Sequence, residues 1–211
     1  MFLPQFEGYH ENLHTFYLNL SNFINFLKND LFTGYIQIKT SEKEYLIFLD
    51  QGQVLNSLEI LNNEYKFLSL GEILSNINEG IVNVYYLPEE TASFWANLVT
   101  AEILYSNLST DFTDLVKLIY KLKKEEITGW AEINHLQGEK SFIYFQNGII
   151  IGTCSSWKKW IFEEKENSLP EIARRASKAV FNVYKIPLEQ TAANINLEDI
   201  TNFFQEYLAI L

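Results

Sequence analysis

Residues 46–58 read LIFLDQGQVLNSL: an apolar run, a polar tripeptide ending in Gly52, and a second apolar run. Such a glycine can cradle a ligand beside a strand, or it can mark the corner of a hairpin. The chain decides between the two because it holds the feature twice. Residues 142–153 read FIYFQNGIIIGT, with Gly148 in the place of Gly52. Asn-Gly between apolar runs is the strongest short-range hairpin signal, and glycine supplies the positive φ of a tight turn. A phosphate cradle needs several glycines and the N-terminus of a helix after them. Here each glycine is followed by a strand-like run, so Gly52 and Gly148 are read as hairpin corners.

Outward from the corners the likeness continues. TGYIQIKTSEKEYLIFLDQGQVLNS begins at Thr33 and TGWAEINHLQGEKSFIYFQNGIIIGT at Thr128. Further on, NVYYLPEETA from Asn83 matches NVYKIPLEQTA from Asn182. The landmarks keep their order, and their offsets drift only from 95 to 100. An internal duplication follows, with copies over 1–108 and 109–211.

Each copy has the same coarse pattern. An amphipathic helix is expected over about 16–30 and again over 111–124, where Leu115, Leu118, Ile119 and Leu122 have helical spacing and Asp111 is a suitable N-cap. Three strands follow. GYIQIKT alternates as a half-buried strand does, whereas EYLIFLD is apolar at every central position, as a strand covered on both faces should be. A helical segment leads to a fourth strand that ends before Pro88 or Pro187. Closing helices are expected over 89–108, bridging the copies, and from Asn196 to Leu211. The fold class predicted is α+β: two similar modules, each a mainly antiparallel sheet of four or five strands flanked by helices.

This order of elements, with TG opening a strand and a hairpin of the form apolar-apolar-x-x-Gly-x-apolar-apolar-x-small, resembles the PATAN domain family. Gly34, Gly52, Ser57 and the GIVNV from Gly80 carry the resemblance in copy one, and Gly129, Gly148 and Thr153 in copy two. Ala179 stands where the later glycine would recur. The resemblance implies a non-catalytic interaction module of bacterial signalling, met near response regulators and small-GTPase systems. It supplies no catalytic residues.

Composition narrows the partners. The 211 residues carry a net charge of −11, and the lysines and arginines form no stripe, which argues against nucleic acid. The N-terminus lacks the features of a signal peptide, and no apolar stretch approaches 18 residues, so a membrane is not expected. One cysteine, Cys154, excludes an internal disulfide and fits a reducing cytoplasm.

Several stretches could carry chemistry. HENLH at 10–14 is formally H-E-x-x-H; on a helix His10 and His14 would bind zinc and Glu11 would activate water in a hydrolase. Pro4 and Gly8 just upstream favour the plainer reading, the polar start of the first helix. His135 is read as a strand-end side chain with a local hydrogen bond, and Cys154 as a small buried residue. No phosphate-binding or nucleophile-elbow motif is present, so no cofactor and no catalytic or metal-binding residue is assigned. Glu89-Glu90 and Glu163-Glu164 read as solvated surface. In SSWKKWIFEEKE, Trp157 and Trp160 would share one helical face with Lys158 and Lys159 alongside, either packed on the sheet or offered as a partner surface. The expectation is a cytoplasmic protein-binding module, as a monomer of two packed copies or a homodimer. A small-ligand sensor with a pocket between or within the modules is the other class.

Overall fold

The computed structural model describes residues 3–62 and 64–187. These residues form two six-stranded antiparallel sheets of the same topology. Module one runs β1 (Gly8–His14), α1 (Leu20–Asn29), β2 (Gly34–Lys39), β3 (Glu44–Asp50), β4 (Gln53–Leu61), β5 (Glu64–Phe67), α2 (Leu70–Asn76) and β6 (Ile81–Tyr86). Module two repeats this as β7 (Glu102–Ser109), α4 (Leu115–Lys124), β8 (Gly129–Asn134), β9 (Lys140–Gln146), β10 (Ile149–Ser155), β11 (Glu163–Glu164), α5 (Leu169–Arg175) and β12 (Val180–Lys185). The strand order β1-β6-β2-β3-β4-β5 in one sheet corresponds, strand for strand, to β7-β12-β8-β9-β10-β11 in the other. Between the modules lie a 3-10 turn, the short helix α3 (Ala92–Ala96) and a second 3-10 turn.

The repeat reaches single hydrogen bonds. Helix α1 is capped by Asn19 and α4 by Asp114, each side chain accepting the amide three residues on, at 3.0 and 2.7 Å. Asp114, rather than Asp111, is thus the cap of the second helix. In the edge strands β1 and β7 a left-handed asparagine, Asn12 (φ 59°) or Asn107 (φ 56°), forms a bulge. Its amide donates to the side chain of Asn83 at 2.8 Å, or of Asn182 at 2.9 Å. Asn83 in turn donates to Gln37, and Asn182 to Glu132, both at 3.2 Å.

Each sheet has an outer, helix-covered face. In module one Ile36, Ile47, Val82 and Val84 pack under Ile24, Leu27 and Ile73; in module two Ala131, Ile143, Phe145 and Phe181 pack under Leu118, Leu122 and Ile172. The two inner faces share a third core, which joins Tyr35, Leu46, Phe48 and Leu58 to Phe142, Tyr144 and Cys154. Phe94 and Trp95 of α3 fill the space between. This is why β3 and β9 are apolar at every central position: Leu46 and Phe48 face the shared core, Tyr45, Ile47 and Leu49 the helices.

Three expectations are corrected. The segment 89–108 is not one helix: after α3 the chain extends at Ala101 and continues as β7, an edge strand of the second sheet. HENLH is not the start of a helix but strand β1, paired with β6. Each sheet has six strands rather than four or five, because β1, β5, β7 and β11 extend the expected set. The helix expected from Asn196 to Leu211 lies outside the described residues.

Candidate functional site

The hairpin corners hold backbone, not ligand. Gln51-Gly52 and Asn147-Gly148 are two-residue loops in which both residues have positive φ, as a type I′ turn requires. A Cβ on Gly52 would stand 2.1 Å from the Lys28 carbonyl oxygen, and one on Gly148 2.5 Å from that of Lys123. Each corner is therefore pressed against the last turn of the preceding helix. A threonine clips it from the side: the amides of Gln51 and Asn147 donate to Thr33 Oγ1 and Thr128 Oγ1, both at 2.9 Å.

His10, Glu11 and His14 lie on β1, so the helical face that would bring the histidines together does not exist. In the register of the second sheet the matching stretch is Tyr105 to Ser109, an edge strand with neither histidine. His10 packs against Tyr9 and Phe23, at centroid separations of 4.4 and 5.9 Å. His14 Nδ1 accepts the Phe16 amide at 3.2 Å, and its Nε2 lies 3.6 Å from Glu79. Among the described residues no group of three or more His, Cys, Asp or Glu is placed to hold a metal ion.

The two tryptophans point apart. Ser156–Lys158 form a single 3-10 turn, after which Lys159 (φ 54°) and Trp160 (φ 65°) are both left-handed, so no helix carries Trp157 and Trp160 on one face. Trp157 packs into the helix-side core of module two. The Arg175 guanidinium lies over its ring at 4.5 Å, and the edge of His135 approaches at 5.2 Å. Trp160 instead flanks the shared core, 5.8 Å from Phe142. Lys158 donates to Glu163 at 2.8 Å and to Ser168 at 2.7 Å, while Lys159 is exposed. Burial raises the Glu163 carboxyl, but the hydrogen bonds from Lys158 and Ser168 outweigh it and hold the group below its ordinary range.

Residues 3–7 bind the junction from outside. The Gln5 amide donates to the Trp160 carbonyl at 2.8 Å, the Phe162 amide donates to the Gln5 carbonyl at 3.0 Å, and the Tyr86 amide donates to the Glu7 carbonyl at 2.9 Å. Phe6 enters the shared core against Trp95, with ring centroids 4.9 Å apart. Shallow grooves lie beside this strap. One, of about 590 Å³, is lined by Glu7, Glu11, Tyr86, Phe162 and Glu164; another, of about 480 Å³, by Tyr35, Gln37, Tyr85, Lys159 and Trp160.

Cys154 and His135 lie inside the cores. Cys154 is fully buried in the shared core, 3.5 Å from the Tyr144 hydroxyl, and burial pushes its thiol up to about 12, which leaves it protonated and unreactive at neutral pH. His135 is buried, with Nε2 2.8 Å from Ser141 Oγ. Burial lowers its pKa, only partly offset by the backbone of Arg175 and by Glu139.

What the outer surface offers instead is aromatic. In the turn between β1 and α1, Phe16 and Tyr17 are 80% and 87% exposed, and at the matching turn of module two Phe112 is 88% exposed. Sequence reasoning passed over these residues. Their signal is the repeat itself, because Tyr17 and Phe112 occupy equivalent places before the two helix caps. No family model, no curated protein and no solved structure matches the chain.

Proposed function

We propose that the chain is a non-catalytic interaction or regulatory protein of bacterial signalling, built from two PATAN-like modules. Its partner is a signalling protein, such as a component of a small-GTPase system, as the family resemblance implies. The observation that carries this reading is the pair Phe16 and Tyr17, large aromatic side chains packed edge to face at 5.0 Å and open to solvent. Exposed aromatics of this kind act as anchors at protein interfaces. By contrast His135 and Cys154 are buried within the cores, and His10 and His14 belong to an edge strand. The test is affinity capture from the native lysate with the full chain and with Phe16→Ser/Tyr17→Ser, followed by mass spectrometry. Loss of one specific partner in the variant supports the reading; an identical set of captured proteins contradicts it.

A second reading, a small-ligand sensor, is favoured by the grooves at the module junction. A thermal-shift screen in which a ligand stabilises the wild type, but not a Tyr86→Ala variant altered in the larger groove, supports it.

A further inference from the structure

The edge of an antiparallel sheet exposes a row of backbone donors and acceptors, and folds blunt such edges by shortening or covering them. The two modules differ at one edge. In module two β11 is two residues long, and Ile161 just before it is bridged to Gln5 of the strap. In module one the corresponding strand, β5, pairs with β4 over four residues, all of them exposed. One hydrogen bond sets the phase of this ladder. The Leu68 amide donates to the Ser57 carbonyl at 3.1 Å, so bonded pairs alternate back through Glu59–Lys66 to Leu61–Glu64. Tyr65 and Phe67 therefore direct their amides and carbonyls away from β4. Their rings lie edge to face at 5.8 Å and are 46% and 44% exposed.

An incoming strand must match this phase. A second copy lying antiparallel across a two-fold axis bonds outward residue to outward residue, so the axis falls on Tyr65, Lys66 or Phe67. Charge selects among the three. An axis at Lys66 sets two lysines face to face, and one at Phe67 sets each Lys66 against Leu68 of the other copy. An axis at Tyr65 sets Glu64 against Lys66 of the other copy, twice, with Tyr65 opposite Tyr65 between them. Lys66 lies in the field of Glu59 and Glu72. Glu59, however, is held by Lys43 at 2.9 Å and Glu72 by the Ser69 amide at 2.7 Å. Among the described residues no ion pair reaches Lys66 or Glu64.

From the open edge of β5, its outward phase and its self-complementary charges, we infer that a second copy of the chain pairs with β5 as an antiparallel strand across a two-fold axis at Tyr65. Two six-stranded sheets are thereby joined edge to edge. Dimerisation in this form is independent of the partner-binding reading. The seam is about five residues, or ~17 Å, long, so the dimer is weak, with a Kd on the order of 100 µM. Sedimentation equilibrium of the full chain from about 10 µM to about 1 mM tests it and should show a reversible monomer–dimer equilibrium. Lys66→Glu and Glu64→Lys each set like charges together, and each should weaken the dimer about tenfold. A 1:1 mixture of the two variants, in which every pair is again opposite, should restore it. Both substituted residues are exposed, so thermal unfolding of each variant should match the wild type. In the wild type, hydrogen exchange of the Tyr65 and Phe67 amides, read by NMR, should slow as protein concentration rises. A chain that stays monomeric over the range overturns the inference. So does a dimer indifferent to the single reversals, a mixture that fails to dimerise, or exchange at Tyr65 and Phe67 that is independent of concentration.

Discussion

Modules one and two differ little in what holds them and much in what they show to solvent. Both have a left-handed asparagine in the first strand, an asparagine that clips it, a threonine beside the hairpin corner, and a stacked aromatic pair on the inner face. That pair is Tyr35 on Tyr85 at 5.0 Å in one module and Trp130 on Tyr184 at 4.7 Å in the other. Outside these devices the modules part. The turn of module one presents Phe16 beside Tyr17, of which only Tyr17 has an exposed aromatic counterpart, Phe112, while the helix of module two alone presents Val116 and Tyr120. Residues kept in both copies mark what the fold needs, and exposed apolar residues kept in only one mark where a use must be sought.

The comparison breaks most severely if the shared core is emptied. Trp95 is fully buried and touches Phe6, Tyr144 and Phe162, with centroid separations of 4.9 to 5.3 Å. Its replacement in Trp95→Ala should cost about 3–5 kcal/mol and, in urea denaturation, split one transition into two as the modules uncouple. Next come the corners. Gly52→Ala and Gly148→Ala each force a β-carbon onto a helix carbonyl at positive φ, with an expected loss of about 2–4 kcal/mol by chemical denaturation, larger at Gly52 where the approach is closer. A large loss at one corner and none at the other would end the equivalence. Asn83→Ala and Asn182→Ala should each cost about 1–2 kcal/mol by leaving a bulge amide without its acceptor. His10→Ala/His14→Ala should change thermal stability least, within about 0.5 kcal/mol, and should alter no metal content.

One pH dependence rests on His135 of module two. Burial depresses the pKa of His135 in the folded state, so the unfolded chain binds the proton more readily. The stability lent by the neutral ring is complete above the unfolded value, near 6.5, and declines as pH falls below it. Glu139 and Arg175 face the ring and modulate the effect in opposite senses. His135→Gln should flatten the slope of urea midpoint against pH between about 7 and 5; an unchanged slope would remove His135 from the account.

The central strands were legible because burial on both faces leaves a mark that propensity cannot hide: Leu46 to Leu49 have no polar alternative. The edge strands were not. In β7 the bulge at Asn107 shifts the alternation, so that Leu104, Tyr105 and Leu108 pack on one side with a spacing that mimics a helix. The same bulge at Asn12 places Tyr9 and Leu13 on one side and gives HENLH its helical look. Trp157 and Trp160 misled for a related reason. Two successive left-handed residues, Lys159 and Trp160, turn the second ring to the opposite core, and neither is a residue type that announces positive φ. The hairpin corners were legible because there the residue type does announce it.

The central claim is that one module, used twice, has become one cooperative unit through the core around Trp95. Native-state hydrogen exchange of β3 and β9, the central strands of the two sheets, tests it most directly. If the claim holds, the slowest amides of both strands exchange with the same opening free energy and respond identically to added denaturant. If β3 and β9 open with different free energies and different denaturant slopes, the modules are independent folding units and the claim is wrong.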